Sequence, residues 1–174
     1  MINILVSQPF EYVPKRDEAR DFIDSKLVIF LNHCGINPIL VPNNLKNLNN
    51  LLILKNINGV LLSGGNDIFY KRKYKNDKLN KILKRLIYNR NQVEKKLVAF
   101  SKKKKIPVIG ICRGFQYLNI LNGGKIKRIN NHVSVNHKIS IVNKERVFKT
   151  LTKFIDNKVN SYHNFGITIK DLSK

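Results

Sequence analysis

The stretch PVIGICRGFQYLNIL, Pro107 to Leu121, decides the reading of this chain. Its first five residues form a short apolar run of the kind buried on both faces of a parallel sheet. Residues 115–121 then carry helical spacing that ends at Gly123-Gly124. Between the two lies Gly110-Ile111-Cys112-Arg113-Gly114, a G-x-C-x-G that matches the strand-turn-helix nucleophile elbow with Cys in place of Ser. On so sharp a turn, side chains two before and two after the nucleophile would collide with neighbouring backbone, which gives each glycine a reason. A helix N-terminus and the adjacent Arg113 both favour the thiolate of Cys112, the reactive form. A cysteine at a strand end can also be a small buried hydrophobe; the paired glycines favour the nucleophile.

Outward from this stretch, strands and helices alternate. Ile2 to Val6 reads as a buried strand, and Asp17 to Cys34 has helical spacing (Phe22, Ile23, Leu27, Phe30, Leu31) with Asp17, Glu18 and Asp21 in the first turn and Gly35 past the end. Ile39-Leu40-Val41, enclosed by Pro38 and Pro42, is a second strand, the Asn-rich residues 43–50 read as loop or a short helix, and Val60-Leu61-Leu62 is a third strand ending at Ser63-Gly64-Gly65. Residues 77–104 are helical with a break expected near Asn89 to Asn91, and the cations Lys102 to Lys105 complement the dipole at the end. Beyond Gly124, strands are expected at 125–129, 138–142 and 158–160 and a short helix at 146–154. The pattern predicts an α/β fold, a mainly parallel open sheet with helices on both faces, in a single domain spanning 1–174.

The 174 residues carry 33 Lys+Arg against 11 Asp+Glu and are 43% hydrophobic, enough for one core and too apolar for a disordered chain. No apolar run approaches the roughly 18–20 residues of a membrane span, and MINILVSQPF has neither a basic lead nor a small-residue cleavage site, so a cytoplasmic protein with no membrane partner is expected. Cys34 and Cys112 make no disulfide framework, and no Cys/His spacing suggests zinc. No metal or cofactor is called for. The net charge of +22 invites nucleic acid. However, Lys, Asn and Ile, all with A/T-rich codons, make up 71 of 174 residues, so codon bias explains most of it. No helix-turn-helix, zinc finger or aromatic-basic interleaving supports specific nucleic-acid recognition.

Ser63-Gly64-Gly65-Asn66-Asp67 follows another buried strand, and in an open parallel sheet both strand ends face one crevice. A Gly-Gly turn there can present a bare backbone N–H to a developing oxyanion, completing what the N–H of Arg113 begins. A cysteine nucleophile normally also works with a histidine. Of His33, His132, His137 and His163, the last is the best placed because it follows a predicted strand; its other reading is a loop histidine bonded to backbone.

Three segments together, LLSGGNDIFY (61–70), PVIGICRGFQYLNILNGG (107–124) and VNSYHNFGI (159–167), resemble the class I glutamine amidotransferase-like hydrolases of flavodoxin-like fold, in the branch that cleaves γ-glutamyl bonds. Within that branch the likeness is strongest to hydrolases of γ-glutamyl-CDP-amidate, which act in making the phosphoramidate decoration of bacterial capsules. They share an Arg followed four residues later by a Glu, here Arg90 and Glu94. The resemblance implies Cys112 as nucleophile, the backbone N–H groups of Gly65 and Arg113 as oxyanion donors, and Gly64, Gln116, Ser161, Tyr162 and His163 as substrate-binding elements. The implied activity is hydrolysis of a γ-glutamyl amide of a small molecule, releasing glutamate, with a second copy of the chain as a candidate partner. Lys71, Arg72 and Lys73 could meet substrate phosphates, or be a solvated loop.

One departure is serious. Relatives continue to a further strand pair and a His-x-Glu that completes the triad, whereas this sequence has no His after His163 and no Glu after Glu145. The fold is therefore expected to lack its C-terminal strands and helix, and 1–174 to be impaired or inactive. Truncation, a degenerate copy and takeover by His163 account for this, in that order. The alternatives of another class are a non-catalytic glutamyl- or nucleotide-binding or partner-dependent module and, behind it, a non-specific nucleic-acid binder.

Overall fold

Four parallel strands form the sheet that carries the elbow: β1 (Ile2–Ser7), β4 (Ile36–Val41), β5 (Ile57–Leu62) and β6 (Val108–Gly110), in the order β4-β1-β5-β6. The computed structural model describes residues 2–43, 52–71, 74–140 and 158–173, with positions 48 and 50. Leu5 pairs with Ile39 on one side of β1, Val6 with Leu61 on the other, and Leu62 with Gly110 beyond. The chain leaves β1 for one edge and returns for β5 on the opposite side, so the strand order reverses between them. The crevice at the carboxyl ends of β1, β5 and β6 is where open α/β sheets place ligands. Pro38 lies inside β4, tolerated because that strand is an edge.

Alternation along β1 sends Ile4 and Val6 to one face and Leu5 and Ser7 to the other. Val6 packs with Leu31 and Leu61, and Ile4, Ile23, Leu27 and Ile36 close around them, which seats α1 (Ser25–His33) on that face. On the other face α2 (Asp77–Lys104) buries Val93 and Leu97 fully. Each such buried side chain contributes roughly 1.5–3 kcal/mol. The parallel sheet with helices on both faces is thus found as the sequence predicts.

Three local expectations fail. First, the helix of 17–34 begins only at Ser25, where the Asp24 side chain accepts from Lys26 N at 2.9 Å. Asp17, Glu18 and Asp21 sit instead in an antiparallel hairpin of β2 (Phe10–Val13) and β3 (Glu18–Asp21), because Pro14 starts a turn and Asp17, at φ 49°, ends it. Second, α2 runs unbroken through 89–91. Arg90, Val93, Glu94, Leu97, Val98 and Ser101 recur at threes and fours on its buried face, so the polar residues that suggest a break are interior partners. Third, the strand expected at 138–142 meets β8 (Val133–Lys138) only at Lys138, where β8 pairs with β9 (Lys158–Tyr162); 139–140 are in no strand, and 141–142 lie outside the described residues. The helix expected at 146–154 lies outside the described residues.

The chain divides into two compact units, Met1–Gly124 with Ser173–Lys174, and Lys125–Leu172. The second unit contains the antiparallel β8/β9 pair and a two-residue pair of β7 (Lys127–Arg128) with β10 (Phe165–Gly166).

Candidate functional site

Cys112 closes the turn from β6 into α3 (Arg113–Leu121) with φ 49° and ψ −107°, a conformation sparsely populated by any residue but glycine. Its side chain is exposed and makes no capping hydrogen bond. Three bonds hold the turn: Ile111 N donates to Leu62 O (2.9 Å), Gly114 N to Ile111 O (2.8 Å) and Gln116 N to Cys112 O (3.1 Å). A Cβ on Gly114 would overlap the Leu62 carbonyl, and one on Gly110 would overlap the Gly114–Phe115 peptide. Both glycines are therefore required by close backbone approach, as the sequence pattern implies.

The Gly-Gly turn lies against this elbow. A Cβ on Gly64 would sit 3.6 Å from Cys112 Cβ, and Gly65 has φ 95°. Gln116 is buried one helical turn beyond Cys112. The structure thus brings together Gly64, Gly65, Cys112, Arg113 and Gln116 in the first unit.

Beneath them is a polar network that the sequence only partly reveals. The Arg90 guanidinium donates from Nε to Glu94 Oε1 (3.0 Å), from one terminal nitrogen to Asn66 Oδ1 (2.9 Å), and from the other to the carbonyls of Ser63 (2.9 Å) and Gly64 (2.8 Å). Ser7 Oγ donates to Glu94 Oε1 (2.9 Å) and accepts from Ser63 N (3.0 Å). The second oxygen of Glu94 receives the Arg113 guanidinium, which also reaches Asn91 Oδ1 and lies 5.3 Å from the Tyr117 ring. Arg113 is 2% exposed and paired inward, so its charge is matched by Glu94 rather than offered to the thiol, which corrects the expectation from sequence. Burial, and then the neighbouring Arg113, push Arg90 down to about 10, while burial and Glu94 push the Tyr117 hydroxyl up to about 12. The sequence singles out Arg90 and Glu94 only as a shared motif. Their i, i+4 spacing among Val93 and Leu97 on an apolar helix face is the signal for a buried pair; Ser7, Asn66, Asn91 and Tyr117 carry none.

Ser161, Tyr162 and His163 lie in the second unit. Ser161 is buried and its Oγ donates to the His132 carbonyl (2.6 Å), Tyr162 is exposed, and His163 Nδ1 donates to the Phe165 carbonyl (2.8 Å). The backbone-bonded reading of His163 is the one observed. His132 has ring centroids 4.9 Å from His137 and 5.3 Å from His163. Among the described residues no group of three or more His, Cys, Asp or Glu is arranged to hold a metal ion. No helix there is long and apolar enough to cross a membrane. His33, the histidine of the first unit, is exposed at the end of α1.

Comparison with known proteins agrees with the fold. The model of the peptidase C26 family matches residues 2–173. The chain is 36% identical over 111 residues to the γ-glutamyl-CDP-amidate hydrolase of Campylobacter jejuni, an alignment covering 64% of this chain and 44% of that protein. Among solved structures, it resembles a Thermoplasma acidophilum protein proposed to be part of a GMP synthase, with TM-score 0.61, 18% identity and coverage of 98% of this chain and 68% of that one. It also resembles a Thermotoga maritima glutamine amidotransferase, with TM-score 0.55, 18% identity and coverage of 97% and 63%. The chain thus spans less than half the length of the Campylobacter enzyme.

Proposed function

The chain belongs to the peptidase C26 family, and on that footing we infer that it is a cysteine-dependent hydrolase of γ-glutamyl amide bonds. The observation that carries this reading is Cys112 itself: an exposed thiol held at φ 49° between two glycines that cannot be replaced, at the start of a helix. A site that maintains backbone strain in order to present a thiol is built for that thiol to react.

In this mechanism Cys112 Sγ adds to the γ-carbonyl, forming a C–S bond while the carbonyl electron pair moves onto oxygen. The oxyanion is met by the N–H groups of Gly65 and Arg113; Arg113 opens α3, where the first N–H groups have no intrahelical acceptor. Collapse expels the amine, which leaves with the proton given up by the thiol, and water then cleaves the thioester to glutamate and the free thiol. Gly64 leaves room beside the sulfur, and Gln116, one helical turn beyond the thiol, serves glutamyl binding. For the leaving group we favour a nucleotide amidate, as in the name of the Campylobacter relative, and with it the step of capsule synthesis that the sequence resemblance implies. Next to the turn, Phe10, Asn66, Asp67, Tyr70, Lys71 and Tyr74 line a cavity of about 150 Å³ that suits an aromatic or phosphate-bearing group.

The sequence holds no His-x-Glu after His163, so the 174 residues alone should turn over slowly. The same fact favours a second reading, a module that binds glutamyl ligands without cleaving them. Glutamate release from a γ-glutamyl amide by purified 1–174 and by Cys112→Ser decides between them. Slow release that Cys112→Ser abolishes supports the hydrolase; equal release from both ends it. A melting temperature raised by glutamate with no release at any protein concentration supports the binding module.

A further inference from the structure

We propose that Arg90 and Glu94 are positioning residues that aim the two oxyanion donors, a role that rests on the assignment of Gly65 and Arg113 above. The key contact is the bond from Arg90 to the Gly64 carbonyl at 2.8 Å. In a trans peptide the C=O of one residue and the N–H of the next lie in one plane and point in opposite directions. Anchoring the Gly64 carbonyl toward the buried Arg90 therefore turns the Gly65 N–H to the other side, away from the interior. Bonds from the same guanidinium to Ser63 O and Asn66 Oδ1 pin the turn before and after that peptide, so it cannot flip without breaking several contacts.

The second donor is held by the same carboxylate. Glu94 Oε1 takes Arg90 and Ser7, and Oε2 takes Arg113, whose own backbone N–H is the other donor. Glu94 is fully buried and reaches the β5 and β6 strand ends from a third element, α2. It thus sets the spacing of two donors that come from two separate loops. Neither residue touches substrate in this arrangement; both act through backbone.

The test compares two alkylations of Cys112 at pH 9, where an ordinary thiol ionises without help from a base. Iodoacetamide reads the thiol alone. The γ-glutamyl diazoketone 6-diazo-5-oxo-L-norleucine presents a carbonyl that must sit where the γ-carbonyl would. Arg90→Lys keeps the charge but loses the fork, and Glu94→Gln keeps the shape but loses the charge. Each should slow diazoketone labelling at least tenfold while iodoacetamide labelling stays within about twofold. Ser7→Ala, a milder change in the same network, should lower the ratio of the two rates about threefold, and it decides the matter if the other two do not fold. A ratio unchanged from wild type in any variant that melts cooperatively overturns the proposal. Wild-type protein that iodoacetamide labels and the diazoketone does not removes the oxyanion assignment itself, and the positioning role with it.

Discussion

Glu94 on α2 and Arg113 at the first position of α3 form an ion pair with 0% and 2% side-chain exposure. A buried pair gains little over a well-packed apolar alternative, but removing one partner leaves an uncompensated charge inside and costs about 3–5 kcal/mol. Here the carboxylate also holds Arg90, so it separates two guanidiniums that would otherwise face each other in the core.

That arrangement predicts an asymmetry. Glu94→Ala should lower stability by at least about 3 kcal/mol, and more than Arg90→Met, because the first leaves two unpaired cations and the second leaves one intact pair. Urea midpoints of the two variants measure it; a Glu94→Ala loss below about 1 kcal/mol would mean the pair is not buried as described.

At Cys112 the effect should have the opposite sign. Glycine adopts φ 49°, ψ −107° far more readily than any residue with a Cβ, so Cys112→Gly should stabilise the protein by about 1–3 kcal/mol while abolishing thiol chemistry. Thermal melts of Cys112→Gly against Cys112→Ala isolate the backbone contribution, and equal melting temperatures would contradict it.

Two glycines near the thiol should respond differently to alanine. Gly114→Ala drives a Cβ into the Leu62 carbonyl and should destabilise by about 2–4 kcal/mol. In Gly64→Ala the new methyl makes only an ordinary 3.6 Å contact with Cys112 Cβ, so the melting temperature should stay close to wild type. The methyl occupies space beside the sulfur, and labelling by a γ-glutamyl electrophile should fall at least tenfold. Unimpaired labelling would remove Gly64 from the substrate pocket.

Tyr117 sets an alkaline limit. Its hydroxyl donates to the Asn91 carbonyl and is pushed up to about 12 by burial and Glu94, against an ordinary value near 10. Because the folded state keeps a proton that the unfolded state releases, this contribution is fully present below about pH 10 and is lost as pH rises toward about 12. Tyr117→Phe should therefore lose less stability than wild type between pH 9 and pH 11.5. Parallel losses in urea titrations at the two pH values would refute the assignment.

Much of the first unit was legible in the sequence because its signals are local. A continuous apolar run marks a strand of the parallel sheet and a glycine two places either side of Cys112 marks an elbow, but the burial expected of 107–111 is not found: β6 ends the described sheet, and Ile109 is 64% exposed. The hairpin of β2 and β3 was not, since Phe22, Ile23 and Leu27 keep helical spacing with the real helix and hide that Glu18 to Asp21 pair with Phe10 to Val13. The continuity of α2 through Arg90 and Asn91 was hidden for a related reason. Polar residues read as solvent-facing until their partners, Ser63, Asn66 and Arg113, are brought in from distant positions. Arg113 shows the same limit within the site, where a cation adjacent in sequence to the thiol turns its charge to a residue 19 positions away.

The network also has an order of arrival. Its members run from Ser7 to Tyr117, all ahead of Lys125, where the second unit begins. Chains emerge from the ribosome N-terminus first, at about 5–20 residues per second, and compact units tend to form as they emerge. The strained cysteine and its supports can therefore emerge from the ribosome ahead of the second unit. A chain that folds in that order would present its exposed Cys112 thiol while the second unit is still emerging, and a small electrophile would then meet the thiol before the histidines of that unit are in place.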